Sequence, residues 1–193
     1  MHNWQKLDKE QTEAMINAVR SSSEALLFSP SASEGTIASL PFYNTFSLYR
    51  LTNYTSLPIF TMEFLSDGET YVYLDGSDDS LLKTNTKDGL RLTPRNIMAY
   101  LDFYFANTVR DEGEIHTYSG TTESGGLALS VPSIAFDPQT SAYTVACPLY
   151  VDGVIMHATV HISPEGIVTL HEMRPYLTEA ASSFNTTSRP YGQ

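Results

Sequence analysis

Residues 142–173 read AYTVACPLYVDGVIMHATVHISPEGIVTLHEM. Asp152-Gly153 suits a two-residue type I′ turn pairing Val151 with Val154, and Pro164-Glu165-Gly166 suits a three-residue turn with a glycine bulge. Counting outward from both turns puts Val145, Cys147, Leu149, Met156, Ala158, Val160, Val168 and Leu170 on one continuous apolar face. The opposite face receives Ile155, His157, Thr159, His161, Ile167, Thr169, His171 and Met173. The stretch is thus the heart of an antiparallel meander over roughly 127–136, 142–151, 154–162 and 167–173. A sheet with one apolar face must be covered, and this decides for α+β.

Two helices are available as cover. Asp8 and Gln11 have capping-box spacing, and Met15, Val19 and Leu26 recur at helical intervals, so the pattern predicts a helix over 8–27. Thr93-Pro94 is a helix start, and Ile97, Leu101, Tyr104, Phe105 and Thr108 share one face of a helix over 94–109. Between them, 29–36 reads as a small, polar loop, and 42–51, 57–65 and 69–75 read as strands. With Ser66-Asp67-Gly68 as the turn, Leu65 pairs with Glu69; Phe60, Met62, Phe64, Val72 and Leu74 share one face, and Thr61, Glu63, Tyr71 and Tyr73 the other. A short strand over 115–118 and a last helix over 175–184 complete the elements. The expected fold is a curved antiparallel sheet with helices packed on one face, cystatin-like or NTF2-like in shape. One domain spans 1–184, followed by a disordered tail over 185–193.

Composition narrows the function. With 22 acidic and 11 basic side chains the net charge is −11, which repels nucleic-acid backbones and anionic membrane surfaces. The N-terminal stretch has no apolar run of signal-peptide type, nothing elsewhere reaches transmembrane length, and one cysteine forms no internal disulfide. The expectation is a cytoplasmic protein. Cys147, on the apolar face, is a poor nucleophile because burial raises a thiol pKa. No GxSxG, P-loop or GxGxxG occurs.

Two clusters invite a metal reading. From Asp75, an EF-hand loop would need glycine at the sixth position and glutamate at the twelfth; Ser80 and Thr86 stand there. Asp75, Asp78 and Asp79 are instead read as turn chemistry. On the meander, His171 falls opposite Thr159, about 7–8 Å diagonally from both His157 and His161. These two are themselves roughly 13 Å apart along their strand. A tetrahedral ion takes His171 with one of them more easily than with both, and the regular register turns Glu172 to the apolar face. No metal or cofactor is therefore assigned.

His157, His161 and His171 are candidate acid–base residues. Tyr71, Tyr73, Thr159 and Thr169 are candidate binding residues for a small molecule or protein partner. An uncovered aromatic face would also favour a homodimer. A non-catalytic binding protein is the leading expectation, and a small hydrolase or isomerase using the histidines is the alternative.

Leu74-Asp75-Gly76-Ser77, Asn85, Leu90-Arg91-Leu92-Thr93, Tyr100-Leu101-Asp102-Phe103 and Glu112-Gly113 form a pattern over about a fifth of the chain. The pattern resembles a family of small bacterial proteins with no assigned activity. The resemblance implies a bacterial origin and an acidic loop leading into a helix, and it carries over no catalytic residue.

Overall fold

A computed structural model of the chain describes residues 3–20, 27–118, 123–124 and 127–176. The fold is α+β, with antiparallel sheets distributed over two compact units, residues 1–100 and 101–193. The division falls inside a helix. Most of the expected final helix, and the whole tail over 185–193, lie outside the described residues.

In the first unit β1 (Gln5–Lys6), β2 (Ser33–Ser39), β3 (Ser47–Asn53), β4 (Phe60–Ser66) and β5 (Tyr71–Tyr73) form one antiparallel sheet in chain order. α1 (Lys9–Val19) starts at the expected capping box: the Gln11 N–H donates to the Asp8 carboxylate at 2.8 Å, and the Asp8 N–H donates to the Gln11 side chain at 3.0 Å. Its Met15, Ile16 and Val19 pack with Leu7, Leu51, Met62 and Phe64. Ala38, Leu48 and Leu65, cross-strand neighbours on the opposite face, are buried too. This sheet is therefore buried on both faces.

Several expectations are corrected here. α1 ends at Val19, and residues 21–26 of the helix expected to reach 27 lie outside the described residues. Residues 33–36 of the small, polar stretch over 29–36 belong to β2, whose Gly35 lies close to the end of β1: a Cβ there would stand 2.9 Å from Leu7 Cδ1, so that side chain would have to shift. The β4–β5 register also differs, because Ser66 pairs with Tyr71 and Phe64 with Tyr73. The loop holds four residues, since the Asp67 carboxylate accepts the Thr70 N–H at 2.7 Å and the Glu69 N–H at 3.1 Å and so keeps both out of the ladder.

The polar segment after β5 is a helix, α2 (Asp78–Asp88), with Asp78 and Asp79 in its first turn and Gly89 in the left-handed conformation at its end. Asp75 accepts from the Ser77 N–H and hydroxyl and from the Ser80 hydroxyl, so this carboxylate serves the turn leading into α2. Asn85 of α2 accepts from the Tyr43 hydroxyl at 2.5 Å and donates to the Tyr100 oxygen at 3.1 Å. α3 (Ile97–Asn107) starts three residues after Pro94, because Thr93 and Asn96 form a preceding turn. Ile97, Tyr100, Leu101, Phe103 and Tyr104 are all fully buried, so α3 is apolar nearly all round.

The second unit contains β6 (Ile115–Thr117), β7 (Glu123–Ser124), β8 (Leu127–Ala128), β9 (Ser133–Asp137), β10 (Ala142–Val151), β11 (Val154–Ile162) and β12 (Val168–Pro175). β7 and β8 pair with each other; β12, β11 and β10 form the meander. Both expected turns are present: Val151 pairs with Val154 across Asp152 and Gly153, each with positive φ, and Ser163 donates to the Ile167 carbonyl across Gly166. β10 pairs with β9 along its first half and with β6 along its last three residues. Pro148 falls where the partner changes, a place where a missing N–H costs least. Of the expected apolar face, Val145, Cys147, Leu149, Ala158, Val160 and Val168 are buried and Met156 and Leu170 half-buried, and Ile162 joins them as a further buried residue. Among the described residues, no helix is long and apolar enough to cross a membrane.

Candidate functional site

The other face of the second sheet carries exposed and half-buried side chains, with Pro148 and Ala142 of β10 buried among them. Across β10 and β11, Thr144 pairs with His161, Ala146 with Thr159, Pro148 with His157 and Tyr150 with Ile155. His116 of β6 pairs with Tyr150, so it joins the same face and brings a fourth imidazole to it. His116, His157 and His171 are exposed, while Thr159 and His161 are half-buried. Thr169, opposite His161, is also exposed.

The register of β12 departs from regular alternation at one residue. Val160 pairs with Leu170, but Thr159 pairs with Glu172, which makes His171 the extra residue of a β-bulge. Beyond the bulge every side chain changes face. Met173 comes to lie opposite Ala158 on the apolar side. Glu172 and Arg174 come to lie opposite Thr159 and His157 on the histidine side. The expectations for Met173 and Glu172 are thereby reversed.

His171 keeps its face and meets His161 edge to face, with ring centroids 5.7 Å apart. The ring beside His157 is Tyr176, at 6.0 Å. The three candidate histidines thus divide into a pair and a separate residue. Among the described residues, no three His, Cys, Asp or Glu side chains form a group that could hold a metal ion. Cys147 is fully buried, and burial pushes its thiol up to about 11.

The aromatic candidates of the first unit point elsewhere than expected. The register puts Tyr71 and Tyr73 on the Phe64 side, with ring centroids 6.3 and 5.6 Å from it, so both pack against the core beneath α1. Burial raises the Tyr71 phenol above its usual range. Tyr71 also lines a shallow cleft of about 210 Å³ with Tyr49, Leu7 and Gln11. The aromatic surface that motivated a homodimer is therefore largely turned inward here.

A larger cleft, of about 350 Å³, opens within the second unit where α3 ends. Phe105, Ala106 and Val109 line it from the helix and its exit, Ile115 and His116 from β6, and Arg110 and Glu114 from the loop and strand edge. The loop is tied to the β10–β11 turn, because the Asp152 N–H donates to the Glu114 carbonyl at 2.9 Å. Gly113, at φ 95°, lies so close that a Cβ would stand 3.2 Å from that of Asp152. At the rim, His116 Nε2 and Glu114 Oε1 are 2.9 Å apart, and Arg110 Nε lies 3.8 Å from Glu112. None of Arg110, Glu114 and His116 is singled out by the sequence pattern; the one usable sign was the alternation that sends Ile115 inward and His116 outward.

No family model matches the chain, no curated protein matches it, and no solved structure matches it.

Proposed function

We propose that the protein is a non-catalytic, cytoplasmic binding protein whose ligand is a small molecule with an apolar body and a carboxylate or phosphate head, held in the cleft at the end of α3. The cleft is the observation that carries this reading. Its volume of about 350 Å³ falls in the range of small-ligand sites, and it joins an apolar floor to a few polar groups. Phe105 and Ile115 are buried beneath it and offer contact to an apolar body. Arg110, whose side chain is only 19% exposed, supplies the planar donor that suits an oxyanion.

The probe for this reading is 1-anilinonaphthalene-8-sulfonate, which joins aromatic rings to one anionic group. Fluorescence titration is expected to give one saturable site per chain. Ala106 is exposed and lines the cleft, so Ala106→Trp fills the space without disturbing the core and abolishes binding. Arg110→Gln weakens it about tenfold. Equal binding by wild type and both variants would reject the cleft.

The Glu114–His116 hydrogen bond favours a second reading, a small hydrolase or isomerase in which the carboxylate orients an imidazole base. That reading requires turnover of an ester, amide or carbonyl substrate that His116→Ala abolishes while probe binding persists.

A further inference from the structure

We propose that His161 and His171 form a two-imidazole site for a divalent transition ion of the Zn²⁺, Ni²⁺ or Cu²⁺ type. The first observation is the bulge. Regular pairing would place His171 opposite Thr159, diagonal to both other strand histidines; the extra residue instead sets its ring against that of His161 alone. Bulges commonly re-aim a side chain in this way.

The second observation is distance. A zinc-bound nitrogen lies about 2 Å from the ion, so two imidazoles sharing one tetrahedral ion hold their ring centres roughly 5 Å apart. The observed 5.7 Å is within a small side-chain rotation of that value. Both residues face away from the apolar core, His171 exposed and His161 half-buried, and water would fill the remaining coordination positions. Imidazole nitrogen selects these ions over Mg²⁺ and Ca²⁺, which take oxygen ligands.

The surroundings favour a cation. Glu172 follows His171 on the same face, opposite Thr159, but Arg174 at 3.3 Å offsets its charge, so the nearby carboxylate that counts is Asp137. Asp137, at the end of β9, is held low chiefly by the Gln139 N–H and the Thr140 hydroxyl, and His161 adds to that effect. The whole chain carries −11. The site shares no residue with the cleft at the end of α3, so either can fail without the other.

The test is isothermal titration of untagged, chelator-stripped protein with ZnCl₂ and NiCl₂, and with MgCl₂ for contrast. One Zn²⁺ per chain is expected, with affinity at least tenfold lower in both His161→Ala and His171→Ala. His157→Ala, whose ring sits beside Tyr176, binds as wild type does. His157 and His171 are exposed and His161 is half-buried, and circular dichroism checks that each variant is folded. Absence of saturable Zn²⁺ binding in wild type overturns the proposal. So does Zn²⁺ binding that survives in both variants, or Mg²⁺ binding of equal strength.

Discussion

Along β4, adjacent Phe64 and Leu65 point to opposite faces and both are buried; along β11, Ile162 is buried while His161 beside it is half-exposed. The first sheet is therefore a layer buried on both faces, whereas the second has one buried face and one on which the histidines and threonines are exposed or half-buried. Burial on both faces leaves little surface from which function can be read. A one-sided sheet separates the tasks, because the packed face supplies stability and the other is free to vary in chemistry. The imidazoles of the second unit are collected on that free face.

Neighbouring substitutions in each strand put this contrast to its strongest test. Phe64→Ala is expected to cost about 3–5 kcal/mol, and Leu65→Ala about 2–5 kcal/mol, in urea unfolding. Ile162→Ala should also cost about 2–5 kcal/mol. His161→Ala should stay within about 0.5 kcal/mol, as accessible substitutions usually do. A His161→Ala loss as large as that of Ile162→Ala would break the contrast by revealing cover on the second face.

A polar counterpart follows in size. The first unit buries the Tyr43–Asn85–Tyr100 hydrogen bonds among apolar neighbours, and burial drives the Tyr43 phenol far up. Asn85→Ala withdraws a partner from two buried hydroxyls and is expected to cost about 2–3 kcal/mol. Removal of an exposed polar group from the second sheet, such as Thr169→Ala, leaves water in its place. A loss for Asn85→Ala no greater than that for Thr169→Ala would show that water reaches the tyrosine hydroxyls.

The parts of this architecture that were legible in sequence are those where turn chemistry and alternation agree. Asp152-Gly153 and Pro164-Glu165-Gly166 pin two registers, and the apolar residues on either side obey both. The bulge at His171 left a single sign, Met173, an apolar residue that regular alternation sends to the histidine face, and one residue does not fix a register. α2 was missed since its buried positions are Leu81, Thr84 and Asn85, of which only the first carries a hydrophobic signal. β2 was missed because small polar residues fill a strand whose glycine answers to a contact with distant Leu7. The cleft was hidden for a different reason: Phe105, Arg110 and His116 meet only through the path of the loop between α3 and β6.

The β4–β5 turn provides the smallest effect, and it bears on why the first sheet closes its faces. Asp67 accepts from Lys87 Nζ at 2.8 Å and from the Thr70 N–H, and these bonds hold its carboxyl at about 2, below the usual range. A depressed carboxyl adds stability above the unfolded-state pKa near 4, and loses it as pH falls through the folded value. The side chain lies near the surface, so solvent screening limits the contribution to about 0.5–1 kcal/mol. Asp67→Asn should therefore be less stable than wild type by about that amount at pH 7, with the gap closing between pH 4 and 2. Added salt should remove the share owed to Lys87 and leave that of the backbone N–H groups. A gap independent of pH would mean that the carboxylate charge is idle, and that the loop shape alone turns Tyr71 and Tyr73 toward Phe64. A gap that closes on acidification would tie an exposed carboxylate to the register that places both tyrosines in the core.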